Sequence, residues 1–199
     1  MHSHEAWKSP TVPSPVRPGR LRHVELLTPT LEGLSDFYRA WGLETVPSDA
    51  ASSTTSVAFR AQGADHHVLR FVLSPHSGLG HLGFAASSRS EVDGLCSRWA
   101  ELGVEITSEP AELESLGGGY GFEAADPEGR RLRVITEMVA ADPRPAGSPL
   151  PRRLAHVVLN TVDIDLLCAF YVQVLGFAVS DWSEHQMVFL RNSADHHTI

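Results

Sequence analysis

The feature that most constrains the fold of this 199-residue chain is an internal repeat. The first copy contains LRHVELLT from Leu21 and ADHHVL from Ala64, and the second contains LAHVVLNT from Leu154 and ADHHTI from Ala194. Five of the eight positions in the longer stretch are identical, and a Phe-Tyr pair followed by a glycine lies between the two anchors in both copies. Because three anchors recur in the same order, we infer that one structural unit is used more than once.

The periodicity within the first copy predicts the composition of that unit. Polar and apolar residues alternate from Leu21 to Thr28, which is typical of a half-buried strand. Apolar residues then recur at helical spacing around the Phe-Tyr pair, which predicts a helix, and further apolar runs predict strands up to residue 73. A looser version follows, with a strand from His81, a helix opened by a capping box at Ser90, and strands joined by a DPEG turn.

These patterns predict an α+β fold built from repeated βαβββ units. Residues 21–137 form an N-terminal domain in which the units 21–73 and 80–137 pair. The Pro-rich residues 138–153 are predicted to be a linker. Residues 154–199 begin a second domain, in which a third unit is incomplete. The Pro-rich residues 1–20 are interpreted as a flexible leader.

Composition excludes several classes of protein. A formal net charge of −8 argues against a sequence-blind nucleic-acid binder. No apolar run is long enough to span a membrane, and the leader lacks the apolar core of a signal peptide. Cys96 and Cys168 lie on apolar faces of predicted helices, which indicates buried reduced thiols. Together these features predict a cytoplasmic protein without nucleic-acid or membrane partners.

Several motifs resemble the vicinal oxygen chelate superfamily, which includes glyoxalase I, bleomycin-resistance proteins and extradiol ring-cleaving dioxygenases. They are the paired βαβββ units, FYVQVLGF on a helix, DPEGRRLRV before a closing strand, and ADHHTI. The series from LAHVVLNT to ADHHTI is most similar to two-domain extradiol dioxygenases of the catechol 2,3-dioxygenase type. The resemblance covers about residues 21–199. It implies a homo-oligomeric enzyme that cleaves a catechol-like aromatic with O2 and non-haem Fe(II), with Mn(II) as a possible substitute.

The resemblance also implies roles for individual histidines. His156 matches a metal ligand on the first strand of the third unit, and His197 matches a catalytic histidine that hydrogen-bonds the substrate or dioxygen and moves protons. Strand alternation predicts that His196 faces away from the site. Two imidazoles and one carboxylate leave positions on Fe(II) for catechol and O2. The family's second histidine and its glutamate lie in a fourth unit, so we expect a truncated form that lacks ring-cleavage activity.

The first half repeats part of the same pattern without its carboxylate. Its three matching histidines are His23, His67 and His81. The carboxylate position is taken by Arg133, and a cation there repels a divalent metal. Glu25 or Glu123 could substitute as a carboxylate ligand, so a metal in this half is left open.

Two other functions are compatible with the same motifs. A non-catalytic member, such as a drug-sequestering or ligand-sensing protein, would hold a small molecule in the cup between paired units. Trp41, Trp99, Phe59 and Phe84 could line that cup, although core packing also explains them. A glyoxalase-like isomerase or lyase would need carboxylates on its closing strands, and Arg133 argues against this.

Overall fold

The computed structural model describes residues 17–47, 52–143, 150–184 and 186–199. The first unit contains β1 (Leu21–Thr28), α1 (Leu34–Ala40), β2 (Glu44–Thr45), α2 (Ser52–Thr55), β3 (Ser56–Arg60) and β4 (Leu69–Leu73). The second contains β5 (Gly78–Ala85), α3 (Arg89–Glu101), β6 (Ile106–Glu112), β7 (Tyr120–Ala125) and β8 (Arg131–Thr136). The third contains α4 (Ile164–Gln173), β9 (Ala178–Ser183) and β10 (Met187–Arg191).

The first two units share one eight-stranded sheet in the order β2-β3-β4-β1-β5-β8-β7-β6. Within each unit, the first strand pairs in parallel with the last, as in Val24 with Leu69 and Leu82 with Leu132. The two first strands, β1 and β5, then pair antiparallel and join the units. The predicted α+β fold with paired βαβββ units is therefore confirmed.

Helix α3 shows how the sequence sets a boundary and a buried face. Ser88 is its N-cap, and the Ser88 hydroxyl accepts a hydrogen bond from the Glu91 amide at 3.2 Å. The predicted start at Ser90 was wrong by two positions, because the capping Ser and Glu are three residues apart at 88 and 91. The apolar stripe of α3 is buried, and the Trp99 ring meets Phe122 edge-on at 5.2 Å.

The third unit packs against the first half of the chain. Helix α4 begins after the N-cap Asp163, whose side chain accepts from the Leu166 amide at 2.9 Å. Its buried residues belong to the same apolar cluster as α3, and the Phe177 ring lies 6.0 Å from Phe84. Burial of this face supplies most of the stabilisation of such a short helix.

The strand predicted from Leu154 is not formed. Residues 154–162 form neither helix nor strand, whereas the matching β1 is hydrogen-bonded on one side to β4 and on the other to β5. The Val157 amide donates to the Thr198 carbonyl at 3.1 Å, and this backbone bond matches one bond at the start of the β1 ladder, from Val24 to Val68. An alternating pattern alone does not form a strand without the continuous ladders to neighbouring strands that β1 has, and the described residues supply none to this segment.

The two connecting segments lie partly outside the described residues. Most of the leader, residues 1–16, and the middle of the linker, residues 144–149, lie outside the described residues. The C-terminal end of the linker contacts the first half of the chain, since the Gly63 amide donates to the Arg152 carbonyl at 2.9 Å. Cys96 and Cys168 are free and buried, as predicted. No described helix has both the length and the hydropathy needed to cross a membrane.

Candidate functional site

The structure brings His156 and His197 together. Their ring centroids lie 4.5 Å apart with an interplanar angle of 57°. His156 is exposed on the coil that replaces the predicted strand, and His197 is half-buried against Phe189, with ring centroids 5.2 Å apart. The bond from the Val157 amide to the Thr198 carbonyl fixes these neighbouring backbones, so the pairing of the two histidines follows from their chain positions.

The first half contains the same arrangement at the matching positions. His23 and His67 have ring centroids 4.6 Å apart at 49°, and the Val24 amide donates to the Val68 carbonyl at 3.1 Å. The corresponding values in the third unit are 4.5 Å, 57° and 3.1 Å. The repeat inferred from sequence is therefore also a repeat of side-chain geometry.

His196 does not point cleanly away from His197. It is exposed, but its Nδ1 lies 3.1 Å from Nδ1 of His197, and the Phe189 ring contacts both. Alternation places neighbouring side chains on opposite faces only in an extended strand, and residues 196–199 are not in one. His66 and His67 show the same 3.1 Å contact in the first half.

In the first half, the buried side chains of His23, His67 and His81 lie together with Glu25 and Glu123, and this group is called the cup of the first half. Nε2 of His23 and Nε2 of His81 are 2.8 Å apart, so one donates to the other. Burial, followed by the neighbouring histidines, lowers the pKa of His23 well below its ordinary value. Burial is likewise the largest cause that lowers the pKa of His67, to about 3. The cup is therefore built for neutral imidazoles.

The carboxylates of this cup are held by arginines. Arg133 donates to Glu123 Oε1 through Nε at 2.9 Å and Nη2 at 2.6 Å. Arg70 donates to Glu25 at 3.0 Å. Burial alone would raise the pKa of Glu25, but its contact with His81 and the charge of Arg70 lower it to about 2. Neither Glu25 nor Glu123 is a free carboxylate, and no cluster of three or more candidate ligands occurs within the described ranges.

Two glycines that sequence reasoning missed make room for this cup. Gly83 is paired with His23 across β1 and β5, and a Cβ on Gly83 would collide with the His23 ring. A Cβ on Gly80 would lie 2.6 Å from Oε1 of Glu25. The three glycines of GLGHLGF were the available signal, because glycine in a strand marks close approach of another group.

The four aromatic residues that could line an open cup do not face one in the described part of the chain. Phe59, Phe84 and Trp99 are fully buried, so they pack in the core and line no open cup. Trp41, the C-cap residue of α1, is 63% exposed. An apolar cavity of about 440 Å³ lies instead in the third unit, where its lining includes Val157, Tyr171 and His197.

Comparisons with known proteins agree with these features. A family model described as "Glyoxalase/Bleomycin resistance protein/Dioxygenase superfamily" matches residues 20–134 and 153–199. Metapyrocatechase from Geobacillus stearothermophilus is 28% identical over 178 residues, which cover 81% of this chain and 52% of that protein. Metapyrocatechase 2 from Cupriavidus necator is 32% identical over 137 residues, which cover 68% of this chain and 41% of that protein.

A solved structure gives the same result for the fold. The Mn(II)-bound glyoxalase from Novosphingobium aromaticivorans superposes with a TM-score of 0.83 and 34% identity, covering 91% of this chain and 60% of that one. The chain thus spans about half the length of the curated relatives it matches. The family match, the sheet order and the repeated histidine pairs agree, and the chain belongs to the Glyoxalase/Bleomycin resistance protein/Dioxygenase superfamily.

Proposed function

We propose that this chain is part of an extradiol dioxygenase that cleaves a catechol-like aromatic with O2 and non-haem Fe(II), with Mn(II) as a possible substitute. The observation that carries the proposal is the pairing of an exposed His156 with His197, 4.5 Å apart by ring centroids, beside an apolar cavity. The resemblance of the chain to two metapyrocatechases supports the same chemistry.

The two histidines are suited to different tasks. His156 is exposed and, as a neutral imidazole, can give a ring nitrogen to a metal. His197 is half-buried, and its Nδ1 faces His196 at 3.1 Å. A neutral imidazole beside the cavity can accept a proton from a catechol hydroxyl and return it later in the reaction.

The metal would bring catechol and O2 together and let electron density pass between them. A facial set of two histidines and one carboxylate is the ligand pattern of such non-haem iron sites. His156 fits one position of that set, and the described residues do not complete it. The cavity residues Val157 and Tyr171 supply an apolar surface against which an aromatic ring can pack.

The proposal is tested by anaerobic titration of residues 1–199 with Fe(II) and then catechol, followed by exposure to air. We expect weak Fe(II) binding that His156→Ala abolishes and that His76→Ala, at an exposed histidine of the first half, leaves intact. Catechol is expected to bind without formation of the yellow ring-opened product, because the described residues do not complete the ligand set. Equal Fe(II) binding by His156→Ala and the unaltered protein would refute the role of His156.

A further inference from the structure

The turn between β7 and β8, residues 126–130, contacts the third unit and is held by several hydrogen bonds of its own. Asp126 Oδ1 accepts from the amides of Glu128 and Arg130, each at 2.9 Å, and Asp126 Oδ2 accepts from Arg130 Nη1 at 2.8 Å. The Asp126 side chain is fully buried. Gly129 has φ +80°, a conformation that favours glycine. The turn therefore presents Glu128 and Arg130 in fixed positions.

These two side chains bind the segment that carries His156. Arg130 Nη2 donates to the Asn160 carbonyl. Glu128 Oε1 accepts from the Thr161 hydroxyl and, at 3.1 Å, from the Val162 amide. Hydrogen bonds to a charged partner are about twice as strong as neutral ones, and these lie four to six residues beyond His156.

The connection continues into helix α4. The Thr161 hydroxyl oxygen accepts from the amide of Asp163 at 3.1 Å, and Asp163 is the N-cap of α4. A single series of hydrogen bonds thus joins the 126–130 turn, Thr161 and the start of the helix. The bond from the Val157 amide to the Thr198 carbonyl holds the other end of the same segment.

The first unit provides an internal comparison. Thr28 is the residue that matches Thr161, but its hydroxyl donates to the Thr30 carbonyl at 2.9 Å and contacts no turn of another unit among the described residues. The β1 strand does not need such a contact, because β4 and β5 flank it. Among the described residues no strand forms a ladder with the segment 154–162, and side chains of the second unit bind it instead.

We propose that Glu128 and Arg130 are positioning residues, which hold the His156 segment in register with His197 through Asn160, Thr161 and Val162. The inference rests on the proposed function only for the role of His156. Whether Glu128 and Arg130 hold this segment in place can be measured without a metal or a substrate.

The test is amide hydrogen exchange of residues 1–199, read at Val157 and at Val24. These two amides make the matching 3.1 Å bonds in the third and first units, so Val24 is an internal reference. Thr161→Val removes the hydroxyl at nearly constant volume, and Glu128→Gln removes the charge. Each is expected to speed exchange at Val157 about tenfold, the effect of losing one charged hydrogen bond, and to leave Val24 unchanged.

Two further variants are the matched controls. Thr161→Ser keeps the hydroxyl and is expected to restore wild-type exchange at Val157. Thr28→Val makes the same change in the first unit and is expected to leave Val157 unaffected. Unchanged exchange at Val157 in Thr161→Val, or equal acceleration at Val24 and Val157, would overturn the proposal. Either result would leave the proposed function standing, because the iron titration tests His156 separately.

Discussion

The buried histidines of the first half predict that the protein loses stability as the pH falls from 7 to 5. Burial lowers the pKa of His67 from an ordinary value of 6.5 to about 3. Between these two values His67 binds a proton in the unfolded chain but not in the folded protein. The free energy of unfolding therefore falls as the pH drops below 6.5 and continues to fall towards pH 3. Protonation of His23 and His81, whose pKa values burial also lowers, acts in the same direction.

The size of the effect follows from the His67 pKa. At pH 5 the solution is 1.5 units below 6.5 and well above 3, so His67 alone accounts for about 2 kcal/mol at about 1.4 kcal/mol per unit. The groups that face His67 do not reverse the direction of its pKa shift. His66, Arg70 and His81 lower the pKa of His67 further, and Glu25 raises it only in part. Glu25, with a pKa of about 2, stays ionised throughout the range.

The assay is urea unfolding at pH 7, 6 and 5, which gives the free energy of unfolding at each pH. Wild type is expected to lose at least about 2 kcal/mol between pH 7 and 5. His67→Gln should recover about 2 kcal/mol of that loss whatever its stability at pH 7, whereas His76→Gln, at an exposed position, should recover none. A wild-type free energy that is the same at pH 7 and 5, or a full pH slope in His67→Gln, would refute the reasoning.

Two other substitutions test the cup of the first half. Gly83→Ala places a methyl group against the His23 ring and is expected to cost about 1–3 kcal/mol in thermal or urea unfolding, whereas Gly78→Ala, with open space around it, should be neutral. Arg133→Glu replaces the cation beside the histidines by a carboxylate, and calorimetry should show Zn(II) binding at least about tenfold tighter than in wild type. The same change at the exposed Arg98 should leave Zn(II) binding as it was, and identical Zn(II) binding by Arg133→Glu and wild type would contradict the role given to Arg133.

The fold and the histidine pair could be predicted because both depend on local sequence. The repeat of LRHVELLT and ADHHVL places an imidazole at the same point of two neighbouring backbones in each copy. What could not be predicted depends on contacts between distant residues. The pairing of Arg133 with Glu123 and the contact of Glu128 with Thr161 join strands and units whose approach the one-dimensional pattern does not show.

The two copies also show how similar local geometry leads to different chemistry. His23 is 1% exposed because β5 covers it and Gly83 admits its ring, whereas His156 is exposed because no described strand lies at that edge. In the first half, burial lowers the pKa of His23 and His67 and so favours neutral imidazoles, and arginines bind the carboxylates of Glu25 and Glu123. In the third unit, the position matching Glu25 is Val158, which is 77% exposed, and the imidazole beside it is open to a ligand. Because accessibility and not ring geometry separates the copies, we propose the third unit as the location of the candidate site.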